Sequence, residues 1–230
     1  YEVAQKSNER TGDFTSNTLN ANDIDRLSKP DSIKAQERLL QDNIDLGILN
    51  KDTGEIVSNY SRMGEMSLRN RKFNTALNAF DNAYKFSKNN PEQALRFNQR
   101  ITDVYLDDKN FQKAIKTKKE ILSQEFVQNS SKTKAREIAS LADIYIQKKE
   151  ESTAVDLLKE SYDLSVKNGH TVEAKECIER LDSIFQSTGR KEKSLLLYKN
   201  FLTQLPDIIV RDSSLADNRI IAETEIRIRE

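Results

Sequence analysis

Apolar residues recur at helical spacing along most of this chain, and polar turns interrupt them at regular intervals. The pattern is clearest between Ser58 and Pro91. It predicts a first helix, the polar turn Arg69–Lys72 and a second helix. The apolar or small residues of the first helix are Tyr60, Met63 and Gly64. Those of the second helix are Phe73, Ala76, Leu77, Phe80, Ala83 and Tyr84. We expect Gly64 to admit a neighbouring backbone, and the alanines to accommodate aromatic rings. One hairpin cannot bury such a stripe alone, so the pattern predicts further copies.

The hairpin pattern recurs with a period of about 40 residues. A small residue early in each predicted second helix gives the register: Ala35, Ala76, Ala114, Ala154 and Ser194, at separations of 41, 38, 40 and 40 residues. Ten residues before the last four of these lie Met66, Val104, Ile144 and Ile184. The copy at Ala35 fits poorly, as a capping repeat would. We therefore expect the alanines of the other copies to be buried where the two helices of a hairpin cross.

The turns and the last proline divide the chain into three parts. Predicted turns lie within hairpins at Arg69–Lys72, Asp107–Asn110, Lys148–Glu151 and Ser187–Lys191, and between hairpins at Ser87–Pro91, Gln128–Lys132, Lys167–His170 and Leu205–Asp207. Asp31 and Ser32 are predicted to cap a helix with Ile33, Leu39, Leu40, Ile44 and Leu46. The predicted organisation is an irregular segment or partial repeat at 1–30, a repeat array at 31–206 and a C-terminal helix at 207–230.

The C-terminal helix has its own apolar stripe. Ser213 or Ser214 is the predicted N-cap, and the stripe consists of Leu215, Ile220, Ile221, Ile226 and Ile228. Charged residues occupy the remaining positions. This pattern predicts a helix that leaves the array toward a coiled coil and serves in dimerisation or signalling.

The repeated positions resemble the tetratricopeptide repeat (TPR) family. Gly64, Ala76, Phe80 and Ala83 match its small and aromatic positions, and Pro206 matches its terminal proline. The departures are Lys118 and Leu158 at the second-helix aromatic, Thr102 and Asp182 at the small first-helix residue, and a period longer than the usual value of about 34 residues. The resemblance covers 31–206. It implies an all-α, right-handed α-solenoid of about five helical hairpins, with the first helices on its concave face.

The order of array and C-terminal helix is similar to that in the sensor region of bacterial TPR-containing histidine kinases. This implies a ligand-sensing, homodimeric domain of a membrane-bound two-component sensor kinase, on the periplasmic side of a bacterial inner membrane. The domain would pass a conformational change to the C-terminal helix. The alternative is a cytoplasmic TPR adaptor or peptide-pheromone receptor. Because the chain begins at Tyr1 rather than Met, we expect a segment of a longer protein, and the resemblance to the kinases implies that this longer protein is membrane-anchored.

Composition excludes several other functions. Basic and acidic residues number 37 each, so no net positive field attracts nucleic acid. No run approaches the roughly 18 apolar residues of a membrane span. With one histidine and one cysteine, the sequence offers neither a zinc site nor a Cys–His dyad. We expect His170 in a solvated turn and Cys177 in a packing role, with no cofactor, no metal and no enzymatic activity in this segment.

The remaining candidate site is a surface. In a TPR array, exposed residues of the first helices face the ligand, and a mixture of charges suits a peptide or a folded protein. The predicted binding residues are Arg62, Glu65, Arg69, Gln99, Asp103, Arg136, Asp143, Gln147 and Glu179.

Overall fold

The protein is helical throughout the part that the structure, a computed structural model, describes, which comprises residues 29–211 and 218–229. The helices are α1 (Lys29–Asn50), α2 (Thr53–Arg69), α3 (Phe73–Phe86), α4 (Pro91–Asp107), α5 (Phe111–Leu122), α6 (Glu125–Gln128), α7 (Ser131–Gln147), α8 (Glu151–Lys167), α9 (Thr171–Ser187), α10 (Lys191–Arg211) and α11 (Asn218–Arg229). The all-α prediction is confirmed.

The helices form successive hairpins: α2 with α3, α4 with α5, α7 with α8, and α9 with α10. The chain divides into two compact units within α4, the first ending at Phe97 and the second beginning at Asn98. Within hairpins, every predicted turn coincides with the observed break between helices. The short helix α6 was not predicted; it places Val127 in the core.

Small residues bring the helices together, as the repeat register predicts. Ala76, Ala114, Ala154 and Ser194 are all buried, and so are Met66, Val104, Ile144 and Ile184. Gly64 has a different role from the one predicted. A Cβ atom at Gly64 would lie 2.5 Å from Cε1 of Phe80, so the glycine makes room for an aromatic side chain and not for a backbone.

The N-terminal helix departs from the prediction at both ends. It begins at Lys29, before the predicted cap at Asp31 and Ser32, because Pro30 suits the first turn of a helix. Its buried residues are Leu40, Ile44 and Gly47, and each lies one position later in the chain than the repeat register counted from Ala35 implies. Ala35 itself is half-buried. Leu46, predicted to lie on the apolar face, is 48% exposed.

The predicted helix end at Leu205–Asp207 is wrong. Helix α10 continues through Pro206 to Arg211. Proline lacks an N–H group and disfavours a helix interior, but Leu205 and Ile208 on either side are fully buried, and their packing holds the helix together. The predicted cap at Ser213 or Ser214 lies outside the described residues.

A shared backbone motif closes each hairpin turn. Arg71, Lys109, Lys149 and Gly189 occupy equivalent positions, and all have positive φ, between 56° and 71°. The next residue donates its N–H to a carbonyl five residues back, as Glu150 does to Tyr145 at 2.9 Å and Arg190 to Phe185 at 2.7 Å. This is the Schellman arrangement that ends many helices. Of these four residues only Gly189 is a glycine, the residue type that adopts a positive φ without strain.

Replacing Gly189 by Ala should lower the free energy of unfolding by about 1 kcal/mol, because a left-handed backbone disfavours a Cβ atom. No atom beyond the adjacent residues lies within 4 Å of that Cβ position, so the backbone alone sets the cost. The matched change Lys149→Gly should raise stability by about 0.5 kcal/mol, since relief of strain exceeds the added entropy of the unfolded chain. Urea denaturation checks both, and shifts of the same sign would contradict this explanation.

Candidate partner-binding surface

The predicted binding residues of the first unit lie on α2. Arg62 and Arg69 are exposed, and Glu65 is half-buried. Neither arginine forms a hydrogen bond or ion pair with another described residue, so both guanidinium groups are open to a partner. Each remains a predicted binding residue.

In the second unit, the predicted residues lie on three first helices. Gln99 and Asp103 are on α4, Arg136, Asp143 and Gln147 on α7, and Glu179 on α9. Asp103 and Asp143 occupy equivalent positions of successive repeats, 40 residues apart. These helices present a polar surface that we call the first-helix face.

Side-chain bonds connect neighbouring helices across the first-helix face. Gln99 Nε2 donates to Glu137 Oε1 on α7 at 2.5 Å. Arg136 pairs with Glu173 on α9 at 2.6 Å, and Asp143 pairs with Arg180 on α9 at 3.1 Å. Several predicted binding residues therefore also join one repeat to the next.

The other predicted residues of this unit differ in their partners. Asp103 pairs with Arg100 on its own helix at 2.8 Å, and Glu179 pairs with Lys175 at 3.4 Å. Gln147 is exposed. Burial raises the pKa values of Asp103 and Asp143, because desolvation of each carboxylate outweighs the effect of its arginine partner.

A buried ion pair lies beneath this surface, and sequence reasoning missed it. Lys118 of α5 and Glu137 of α7 each have only 3% of the side chain exposed, and Lys118 Nζ lies 2.7 Å from Glu137 Oε2. In the other copies of the hairpin, the position equivalent to Lys118 is occupied by Phe80, Leu158 or Tyr198, all of which are buried. The signal of this ion pair in the sequence was that Lys118 stands where the repeat pattern has an aromatic residue. Its partner, 19 residues away on another helix, was not evident.

A second polar group fills the equivalent region of the last hairpin. Asp182, which replaces the small first-helix residue, accepts hydrogen bonds from Ser194 and from Tyr198 at 3.2 Å. Burial, the negative charge of Asp182 and the hydrogen bond to it raise the pKa of Tyr198 to about 12. Thr102, the other departure, bonds to the Asn98 carbonyl at 3.0 Å. Polar residues at these positions therefore find partners inside the protein.

The described part of the C-terminal helix packs against the array and does not leave it. Ile220 is buried in a cluster with residues of α9 and α10, including Ile178, Phe201 and Ile208. Lys175 of α9 forms an ion pair with Glu223 of α11. The predicted stripe is thus split, because Ile226 is 53% exposed while Ile228 packs partly against the cluster. Leu215 and the side chain of Ile221 lie outside the described residues.

The histidine and the cysteine both lie in the second unit. His170 lies in the predicted turn, at the N-cap of α9, but it is half-buried and not fully solvated, and its Nε2 lies 2.8 Å from the Ser131 hydroxyl. The preceding turn places it beside the start of α7, where a serine is available. Cys177 is buried and donates to Ser161 at 3.2 Å, and burial raises the pKa of its thiol. A packing role fits this environment.

Within residues 29–211 and 218–229, no group of three or more histidine, cysteine, aspartate or glutamate side chains could hold a metal ion. None of the described helices is long and apolar enough to cross a membrane.

The fold is similar to that of known repeat proteins. BtubC (BKLC) from P. vanneervenii is 13% identical, with a TM-score of 0.57 over 85% of this chain and 80% of that one. A putative kinesin light chain from Podosopora anserina, with nearly identical TPR-like repeats, is 11% identical, with a TM-score of 0.50 over 75% of this chain and 83% of that one. These similarities show that the fold is all-α and TPR-like.

Sequence comparison adds the family. No curated protein sequence matches the chain. The family model of the soluble NSF attachment protein, SNAP, matches residues 49–200, which span α2 to α9 and half of α10. The chain therefore belongs to the soluble NSF attachment protein family, and its hairpins are the TPR-like helical repeats of that family.

Proposed function

We propose that this protein is an attachment module that binds a peptide or a folded protein through the first-helix face. The polar side chains that run across α4, α7 and α9 carry this proposal. They form a surface of both signs on one set of helices, which suits a partner with several polar contacts. The family name, which describes attachment between proteins, supports the same function.

The ion pairs on this face do not prevent binding. Asp143 and Arg180 are 39% and 33% exposed in their side chains, and an ion pair with this exposure contributes only about 0–1 kcal/mol, so a partner can replace it at little cost. Arg136 is 57% exposed, but its partner Glu173 is only 3% exposed, so a partner has to contact Arg136 without breaking this pair. Meanwhile they hold the side chains in place before binding, which reduces the entropy lost when a partner docks.

The test is to select binders from a displayed peptide library against the protein and measure their affinity for two variants. Asp143→Ala with Gln147→Ala removes two polar groups one helical turn apart on α7. Asp156→Ala with Glu160→Ala is the matched control, with the same spacing on the exposed side of α8. Fluorescence anisotropy should show a loss of at least about tenfold for the first pair and little change for the second. Equal affinities for the two variants would refute the proposed face.

A second candidate function is the sensor region of a membrane-bound histidine kinase. The packing of α11 against α9 and α10 favours it, because a change in the array could move this helix. Such a protein would act as a homodimer, with this segment on the periplasmic side of the membrane. The alternative, a cytoplasmic adaptor or peptide-pheromone receptor, requires no such movement.

Hydrogen exchange distinguishes the two candidates. The protein is compared with and without a selected peptide, and protection is followed at residues 218–229. In a sensor, the backbone amides of α11 should change their protection from hydrogen exchange when peptide binds the first-helix face. An adaptor should show changes only at the face, and that result would exclude the coupling on which the sensor function depends.

A further inference from the structure

Helix α1 carries the densest group of exposed apolar side chains in the described part of the chain. Leu46, Ile48 and Leu49, in its last turns, are 48%, 50% and 78% exposed. No other four-residue stretch within residues 29–211 and 218–229 exposes three large apolar side chains. Single exposed apolar residues need no explanation, but a contiguous group of them marks an interaction site.

The exposed and the buried sides of α1 face in different directions. Leu40, Ile44 and Gly47 are buried, and α2 is the helix with which α1 makes its main contact. Leu46 and Leu49 lie away from the buried side, because successive residues of a helix are about 100° apart. Helix α8, in contrast, packs between α7 and α9. The outer side of α1 therefore has no covering helix among the described residues.

The outer side of α1 has the residue spacing of a coiled-coil seam. Alternating intervals of four and three residues separate Ala35, Leu39, Asp42, Leu46 and Leu49, which we call the α1 seam. All five are exposed or half-buried, and four of them are apolar. A repeat of 3.5 residues keeps such a seam in contact with one partner helix along its length. The α1 seam therefore fits another α-helix.

Two charged residues beside the seam indicate which helix this is. Arg38 and Asp45 are both exposed and lie two turns apart on the same flank of α1. Neither forms an ion pair with any residue that the structure describes, although Asp45 accepts a hydrogen bond from Gln41 at 2.9 Å. A complementary helix has an acidic residue opposite Arg38 and a basic residue opposite Asp45. Helix α1 itself meets this requirement when a second copy is turned end to end.

One antiparallel alignment of two α1 helices, centred near Asp42, satisfies the apolar and the charged positions together. The residues that face each other, to within one position, are Ala35 and Leu49, Leu39 and Leu46, and Arg38 and Asp45. Two-fold symmetry makes each of these contacts twice. A parallel alignment would instead bring Arg38 next to Arg38 and Asp45 next to Asp45, and like charges repel. The two Asp42 carboxylates near the axis reduce the affinity, as a polar residue in a seam does, and favour a single register.

We propose that α1 is a dimerisation helix, which binds α1 of a second copy of the chain in antiparallel orientation through the α1 seam. The charge complementarity of Arg38 and Asp45 carries this assignment, since the apolar seam alone would accept other helices. The inference goes beyond the proposed function, because α1 is not part of the first-helix face. It also assigns dimerisation to a helix other than the C-terminal one. Failure of dimerisation through α1 would leave peptide binding on α7 untouched, and the reverse also holds.

Charge reversal tests this pairing in the full chain, with sedimentation equilibrium as the measurement. The original chain should form a dimer. Arg38→Asp places two acidic side chains opposite each other, and Asp45→Arg places two basic ones, so each change alone should weaken the dimer at least about tenfold. An equimolar mixture of the two variants again places opposite charges together at both contacts. The mixture should therefore form a heterodimer with an affinity within about threefold of the original.

Two results would overturn the proposal. One is an original chain that stays monomeric at about 500 µM, as expected if residues 1–28 of the same chain cover the seam. The other is a mixture that associates no better than either variant alone, which would place any dimer contact elsewhere. Arg38 and Asp45 are exposed, so circular dichroism should show both variants as helical as the original, which separates lost pairing from lost folding.

A matched pair of leucines tests the apolar part of the seam. Leu49→Ser should weaken the dimer at least about tenfold, because each dimer loses two buried leucine side chains. Leu196→Ser is the control, since Leu196 of α10 is also exposed, at 57%, but lies outside the seam. The control should leave the affinity unchanged. Equal losses for the two leucines would mean that association is a general effect of exposed apolar residues, and the assignment to α1 would be wrong.

Discussion

Replacing Glu137 by Ala should lower the free energy of unfolding by about 3–5 kcal/mol, because it leaves the Lys118 ammonium buried without a counter-charge. Both side chains are only 3% exposed, so water cannot take the place of the missing carboxylate. Gln99 would lose its acceptor at the same time. Urea denaturation followed by circular dichroism measures the effect. A loss below about 1 kcal/mol would contradict the buried pairing.

Removing both charges should cost much less than removing one. The double change Lys118→Leu with Glu137→Met restores an apolar contact like the one near Leu158 in the following copy, and its stability should lie within about 2 kcal/mol of the original. Lys116 and Glu120 provide a control on the same helix, since their exposed pair at 3.9 Å should contribute less than about 0.5 kcal/mol. If the double change were as destabilising as Glu137→Ala, volume and not charge would explain the loss.

Replacing Gly64 by Ala should lower the free energy of unfolding by about 2 kcal/mol. Three ring atoms of Phe80 lie 2.5 to 2.7 Å from the position of the new Cβ, and Phe80 is fully buried and cannot move aside freely. In an exposed helix the same change would gain about 1 kcal/mol, so the sign itself is diagnostic. Thermal or urea denaturation is the measurement.

Two further variants identify the cause of that loss. Gly54→Ala, in the first turn of the same helix, meets only the end of the Asp52 side chain at 3.3 Å, so it should leave stability unchanged or raise it by up to about 1 kcal/mol. Phe80→Leu alone should destabilise through the cavity it leaves, but it should make Gly64→Ala less costly when the two are combined. Simple additivity of the two changes would mean that Gly64 and Phe80 do not interact as the structure has them.

The repeat architecture was predictable because its causes are local or periodic. Polar turns separate the helices at Arg69–Lys72 and its equivalents, and small residues recur where helices cross. These signals depend on residues a few positions apart, or on a register that repeats every 40 residues or so. The predicted helix end at Pro206 was wrong because it depended on a local rule about proline alone. The packing of Leu205 and Ile208 outweighs that rule.

The candidate surface was predictable only in outline. A repeat register can assign Asp143 or Arg136 to the first-helix face, but it cannot show that they bond to Arg180 and Glu173 on the next helix. Side-chain pairing depends on distances of a few ångströms between residues that lie 37 to 38 positions apart, as for Arg180 and Asp143 or Gln99 and Glu137. No pattern along one helix contains that information.

By itself, the sequence determined the helices, their turns and the small residues at their crossings, since backbone propensity and apolar periodicity act within each hairpin. Only the tertiary structure decided that Lys118 has Glu137 as its counter-charge, that Phe80 fills the space at Gly64, and that α11 folds against α9 and α10. The physical reason is common to all three. A buried charge, a ring or an apolar stripe has a free energy set by its neighbours in space, and those neighbours are distant in the chain.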